Sequence, residues 1–149
     1  MSEFKPFDDR LNGLIAALSP AARRKLAGEI AKELRKSQQQ RIKLQKAPDG
    51  SPYQARKLQP LRAKTGRIKR AMFQKLRTSR YMKATGCENS AVVEFTGKVQ
   101  RIARVHQHGL KDRPNRNSRD VQYEARPLLG FDTNDLKEVM NLFLFYLSK

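Results

Sequence analysis

Between Pro20 and Pro48 the chain carries no proline, and this run constrains the fold more than any other feature. Ser19 can cap a helix, and Pro20 suits the first helical turn, where an N–H would find no partner in any case. The spacing therefore predicts one helix from Pro20 to about Lys46, roughly 40 Å long at 1.5 Å per residue. Gly28 is its one weak position. The first half has an apolar stripe of Ala22, Leu26, Ala27, Ile30, Ala31 and Leu34. The second half, SQQQRIKLQK, is polar apart from Ile42 and Leu44. A helix that loses its stripe midway is expected to leave the core and continue along a neighbour or a solvent channel.

Other elements are punctuated in the same way. Phe7, Leu11, Leu14, Ile15 and Leu18 fall at helical spacing and predict a short helix over 6–18. Ala47-Pro48-Asp49-Gly50-Ser51-Pro52 is a turn cluster. Residues 53–66 lack periodicity and read as an extended basic loop, so that the loop spans about 47–66 in all. Arg67 to Arg77 reads as a short helix carrying Ile68, Met72, Phe73 and Leu76. Residues 79–86 and 91–96 predict a hairpin about Cys87-Glu88-Asn89-Ser90, with Ala91, Val93 and Phe95 on one side and Val92, Glu94 and Thr96 on the other. A helix is predicted over Val99 to His108, with Gly109 as its stop. The polar run LKDRPNRNSRD over 110–120 reads as a mobile loop, and Val121 to Ala125 as an edge strand.

The last helix is expected to start at Asp132 or Thr133. Leu136, Val139, Met140, Phe143 and Leu147 share one face. Leu142, Leu144, Phe145 and Tyr146 lie on the others, and a helix apolar all round needs cover all round: a neighbouring subunit, which makes these four candidate subunit-interface residues, or the chain's own core with this helix at its centre. Together these elements predict a single α+β domain over 1–149, with several helices, the long N-terminal one included, packed on a small antiparallel sheet. With 38% hydrophobic residues, the core is expected to be modest.

The net charge of +18 favours an anionic partner. It is concentrated: residues 20–80 hold 19 basic and 3 acidic residues, and the rest of the chain is close to balanced. Arg41, Lys43, Lys46, Arg56, Lys57, Arg62, Lys64, Arg67, Lys69 and Arg70 are the candidate DNA- or channel-facing residues. Tyr53 is the single aromatic among them, which disfavours a base-stacking platform and favours sequence-independent contact with the phosphate backbone.

The sequence offers little to support catalysis. His106 and His108 lie at i, i+2, which do not share a helical face, and no CxxC accompanies them. No nucleophile motif surrounds the single cysteine, Cys87, and no phosphate-binding glycine motif is present. The reading is therefore no enzyme, no metal and no cofactor. The N-terminus is acidic and polar, unlike a signal peptide, and the longest apolar run, Leu142 to Leu147, is too short to cross a membrane.

The segments FKPFDDRLNGLI, ALSPAARRKLAGEIAKELRKSQQQRI, QKAPDGSPY, KTGRIKRAMFQKLRTSRY, VHQHG and ARPLLGFDTND occur in that order. On these segments the chain resembles the phage virion morphogenesis family, and within it the tail completion proteins of Peduovirus-type temperate phages. QKAPDG, VHQHG and ARPLLGF are its specific marks, with Asp49, Gly50, His106, Gly109, Arg126, Pro127, Leu128 and Gly130 as the motif residues. The resemblance implies a virion protein, assembled in the host cytoplasm, that completes the head-proximal end of the tail and enables head–tail joining. It also implies a homo-oligomer, commonly a hexameric ring around the DNA channel. The implied partners are the tail terminator or tail tube on one side and head connector or neck proteins on the other, with transient DNA contact. The competing reading, from charge alone, is a free sequence-independent nucleic-acid-binding protein.

Overall fold

The computed structural model describes residues 5–56 and 71–148, with side chains from residue 9 onward. Among these residues the order is α1 (Lys5–Ala16), α2 (Pro20–Lys43), β1 (Met82–Gly86), β2 (Ala91–Phe95), α3 (Gly97–His108), β3 (Lys111–Asp112), β4 (Val121–Gln122) and α4 (Thr133–Leu147). β1 pairs with β2 and β3 with β4, so the class is α+β as expected. The chain divides into two compact units. The first takes Met1–Arg35, Ala84–Val93 and Thr133–Lys149; the second takes Lys36–Lys83 and Glu94–Asp132.

In the first unit, Leu26, Ile30 and Leu34 of α2 are buried, and Leu18, Ala91, Val93, Val139, Leu142, Phe143 and Tyr146 pack against them. Burying each of those three side chains is worth about 2 kcal/mol. The stripe read in the sequence thus faces the β2 residues Ala91 and Val93 and one face of α4. Ser19 Oγ accepts from Ala22 N–H at 3.2 Å, the expected cap of α2. β1 crosses α2 closely at Gly86: a Cβ there would stand 2.2 Å from the backbone nitrogen of Gly28.

The inward face of α4 differs from the expected one. Val139, Leu142, Phe143 and Tyr146 point to the core, whereas Leu136 is 61% exposed. Leu142 and Tyr146, candidates for a subunit interface, pack partly buried against the chain's own core, the other cover the sequence leaves open, since every face of α4 is apolar.

In the second unit, Ile42, Met82 and Leu128 are fully buried, with Ala47, Met72, Phe95, Ala103 and Val105 nearly so. The polar half of α2 does not run out along solvent: Gln38, Arg41 and Ile42 are all buried. Both α2 and α3 end in a left-handed residue followed by an N–H that bonds back five residues. Lys46 N–H donates to Arg41 C=O and Gln45 N–H to Ile42 C=O, with Gln45 left-handed at φ 57°. Leu110 N–H likewise donates to Val105 C=O, with Gly109 at φ 65°. A Cβ on Gly109 would also meet Ala125 nitrogen at 2.8 Å, so glycine is required there twice over.

Residues 74–77 form turns rather than a helix, and the start of the predicted 67–77 helix lies outside the described residues. The run read as a loop over 110–120 opens in strand β3, which pairs antiparallel with β4 through Lys111 with Gln122 and Asp112 with Val121. Strands of two residues leave no periodicity to read.

Candidate functional site

Three motif segments meet inside the second unit. In QKAPDG, the left-handed Gln45 uses its side chain as a clamp. Its amide Nε2 donates to Ile42 C=O at 2.8 Å and Met72 C=O at 2.9 Å, and its Oε1 accepts from Met72 N–H at 2.7 Å. The turn that follows is closed by Gly50 N–H to Ala47 C=O and by Ser51 N–H to Asp49 Oδ1. The hydroxyl of Ser51 also holds the Asp49 carboxyl below its ordinary pKa. Gly50 sits at φ 88°, where a side chain would be strained.

In ARPLLGF, the Arg126 guanidinium is buried and donates to Gln54 C=O at 2.9 Å and Ala55 C=O at 3.2 Å. Tyr53 donates its hydroxyl to Pro127 C=O at 2.7 Å. Burial pushes that phenol up to about 12, against the opposing charge of Arg41. In VHQHG, His106 C=O accepts from Arg126 N–H at 2.7 Å. Gln107 Oε1 accepts from Leu128 and Leu129 N–H, and its Nε2 donates to Leu129 C=O at 3.0 Å. Gly130 closes the assembly: a Cβ there would lie 2.5 Å from Pro48 Cγ.

Arg41 belongs to this assembly and not to a charged surface. It is 7% exposed and donates to Gln38 Oε1, to Gly130 C=O at 2.8 Å and to Asp132 Oδ2 at 3.2 Å. Gln38 Oε1 in turn accepts from Gly130 N–H. Arg41 therefore leaves the set of DNA- or channel-facing candidates. Lys43, Lys46 and Arg56 are exposed, and Lys57, Arg62, Lys64, Arg67, Lys69 and Arg70 lie outside the described residues.

His106 packs edge-on between Phe73 and Tyr123, at ring-centroid distances of 4.9 and 5.1 Å, and Phe73 meets Tyr53 at 5.7 Å. Burial, then the positive charges of Arg126 and Arg56, lower the His106 pKa. Phe73, His106 and Tyr123 line a cavity of about 540 Å³ together with Arg56, Met72 and Arg126. Cys87 is exposed in the β1–β2 turn, where contact with the Ser90 hydroxyl at 2.8 Å lowers its pKa. Among the described residues no three His, Cys, Asp or Glu side chains gather as metal ligands, and no helix is long and apolar enough to cross a membrane.

Among the described residues, exposed apolar and cationic side chains lie on several elements, Phe131 at 66% and Leu44 at 56% among them. On α4, Leu136, Leu144 and Phe145 are each more than half exposed. In the second unit, α3 and the β3–β4 hairpin expose Lys98, Arg101, Arg104, Arg113, Arg116 and Arg119. The sequence reading missed this second basic surface. KDRPNRNSRD signals it, with four basic residues in ten, but the 11 acidic residues outside 20–80 nearly balance the 13 basic ones there and hide it.

The chain belongs to the phage virion morphogenesis family, whose profile matches residues 2–148. It is similar to tail completion protein S of Escherichia phage P2, being 49% identical over 150 residues that cover the whole of both chains. No solved structure matches it.

Proposed function

We propose that this chain completes the head-proximal end of a phage tail and makes the tail competent to join a filled head. The observation that carries this reading is the similarity to a tail completion protein, 49% identical along the whole length of both chains. In this reading the subunits form a homo-oligomeric ring, hexameric in number, around the DNA channel. Its partners are the tail terminator or tail tube on one side and the connector or neck proteins on the other. It acts as a structural component of the virion and not as an enzyme.

The exposed apolar side chains of α4 support the oligomer. Leu136 and Leu144 are 61% and 54% exposed, and a neighbouring subunit would remove both from water. Lys43, Lys46 and Arg56, with Lys57, Arg62, Lys64, Arg67, Lys69 and Arg70, are proposed to face the channel, where DNA passes without tight binding.

Gene deletion tests the reading. Lysates should contain filled heads and separate tails, and supplying the chain in trans should restore joined particles. Normal yields of infectious particles from the deletion would refute it, and would favour a free nucleic-acid-binding protein. Ring formation is read separately, from subunit copy number at the tail end by electron microscopy.

A further inference from the structure

The α3 and β3–β4 surface satisfies conditions that a run of charge alone does not. Residues 98–120 hold seven basic and two acidic residues, a net of +5, and both acids are engaged. Asp112 on β3 accepts from Arg101 of α3, and that bond holds the Asp112 carboxyl below its ordinary pKa. Asp120 Oδ1 accepts from Arg113 Nε at 3.2 Å. The first pair ties the hairpin to the helix, and the second closes the hairpin above its two-residue ladder. The tip is ordered by its own short side chains. Asn115 N–H donates to Ser118 Oγ at 3.1 Å, Asn117 N–H to Asn115 Oδ1 at 3.0 Å, and Ser118 Oγ to Asn115 C=O at 3.0 Å.

The result is a short preorganised finger. Its tip over 113–120 reads Arg-Pro-Asn-Arg-Asn-Ser-Arg-Asp, with no aromatic and no aliphatic side chain larger than proline. The tip lacks the aromatic side chains that, with Arg, anchor most protein contacts, and the exposed apolar side chains near it, Ile102 at 48% and Leu110 at 37%, lie on α3 and at its end and not on the tip. Arg, Asn and Ser are the side chains that donate to phosphate and sugar oxygens. Lys98, Arg101 and Arg104, at i, i+3 and i+6 of α3, extend the positive surface behind the finger. The bonds at Asn115, Asn117 and Ser118 order the backbone that carries Arg116 and Arg119, which lowers the ordering cost of contact with a repeating anion.

We propose that this face of α3 and the β3–β4 hairpin is a docking surface for the phosphate backbone of duplex DNA, with Arg113, Arg116 and Arg119 as its leading contacts. The surface is distinct from the stretch expected from the sequence, and it does not depend on the tail assignment, which rests on particle assembly.

The test is binding of the full chain to a mixed-sequence duplex of about 30 base pairs, titrated between about 50 and 200 mM salt. The double variant Arg116→Gln, Arg119→Gln is compared with the charge-matched double variant Lys25→Gln, Lys32→Gln on α2. All four side chains are exposed, so far-UV circular dichroism and melting should be unchanged in both. The hairpin variant should lower the slope of log affinity against log salt by about 2, roughly 0.9 per lost phosphate contact, and weaken binding at least about tenfold at 100 mM salt. The α2 variant should leave the slope nearly unchanged. Equal losses from the two variants would mean that only net charge matters, and would overturn the proposal. So would absence of salt-dependent binding by the unaltered chain, or loss of poly-glutamate binding with DNA binding intact. Acetylation of the unaltered chain gives a second measurement: DNA should slow reaction at Lys98 and Lys111 and spare Lys25 and Lys32, and uniform or absent protection would sink the assignment.

Discussion

Arg41→Met removes the guanidinium of a buried side chain and keeps most of its aliphatic volume. Arg41 is 8% and Asp132 31% exposed in their side chains, so the lost ion pair is neither fully buried nor a surface pair. The substitution deletes the charge-assisted bond to Asp132 and the bonds to Gly130 C=O and Gln38. A hydrogen bond to a charged group is worth about 1.5–3 kcal/mol, and a carbonyl stripped of its buried partner costs about 1–3 kcal/mol. Asp132 can recover water on its exposed side, which discounts the first figure. The expected loss is about 3 kcal/mol, at the low end of that for breaking a buried pair. With a urea slope of about 2 kcal/mol per molar, the unfolding midpoint should fall by about 1.5 M. Lys43→Met, exposed near the end of the same helix, should shift stability by less than about 0.5 kcal/mol. Arg41→Lys should lie between, because an ammonium cannot reproduce the guanidinium fork. If Arg41→Met left the midpoint in place and instead weakened DNA binding more than Lys43→Met, Arg41 would be a solvent-facing cation and the structural assignment would be wrong.

Gly86→Ala should destabilise by about 1–3 kcal/mol, since its Cβ would stand 2.2 Å from the Gly28 backbone and β1 would have to move off α2. Gly28→Ala, whose Cβ meets nothing within 4 Å, should instead stabilise by up to about 1 kcal/mol through helix propensity; thermal melts of the pair should therefore move in opposite directions. The His106 pKa is lowered in the fold, so its contribution is present above the unfolded value near 6.5 and is lost as pH falls through the folded value. Melting temperature should accordingly drop on acidification, and His106→Phe, which keeps an aromatic ring among Phe73 and Tyr123, should remove that share of the drop; an identical pH profile would rule His106 out as its source. Cys87→Ser puts a hydroxyl in place of the thiol that meets Ser90 in the exposed turn, and should change neither stability beyond about 0.5 kcal/mol nor phage titre.

Local signals placed the elements well, because caps and turns act over a few residues. Ser19-Pro20 opens α2, Gly109 closes α3, and Cys87 to Ser90 turns the first hairpin, each as the residue types require. The sidedness of β2 was also legible, with Val93 partly buried and Phe95 buried on one side and Val92 and Glu94 exposed on the other. What could not be read was polar burial. Gln38 and Arg41 sit in a segment whose composition signals solvent, and their partners Gly130 and Asp132 lie about ninety residues downstream. No spacing rule links residues that far apart. The inward face of α4 was hidden for the opposite reason: with Leu142, Leu144, Phe145 and Tyr146 all apolar, only the position of Leu26, Ile30 and Leu34 decides which turn inward. Lys57 and Arg62 to Arg70, most of the expected cationic site, fall outside the described residues.

The motif segments that carry the family resemblance are spent on the interior of the second unit. Gln45 holds Met72, Gln107 holds Leu128 and Leu129, Arg126 holds Gln54 and Ala55, and Gly130 admits Pro48. The three side-chain clamps give backbone groups a partner in place of water, so loss of any one leaves polar groups unpaired, whereas Gly130 supplies clearance for Pro48. Such residues fix a shape without choosing what the shape meets. The partner-facing chemistry must then lie with side chains the interior does not use. In the first unit these include Leu136 and Leu144, apolar and in water; in the second they include Arg116 and Arg119, charged and held out on a closed hairpin. The two kinds answer to different conditions. An apolar contact between copies should persist in high salt, whereas phosphate contacts should weaken steeply with it. Raising salt should thus dissociate DNA before it dissociates subunits, and a chain whose oligomer and DNA complex were lost at the same salt concentration would need one surface to serve both.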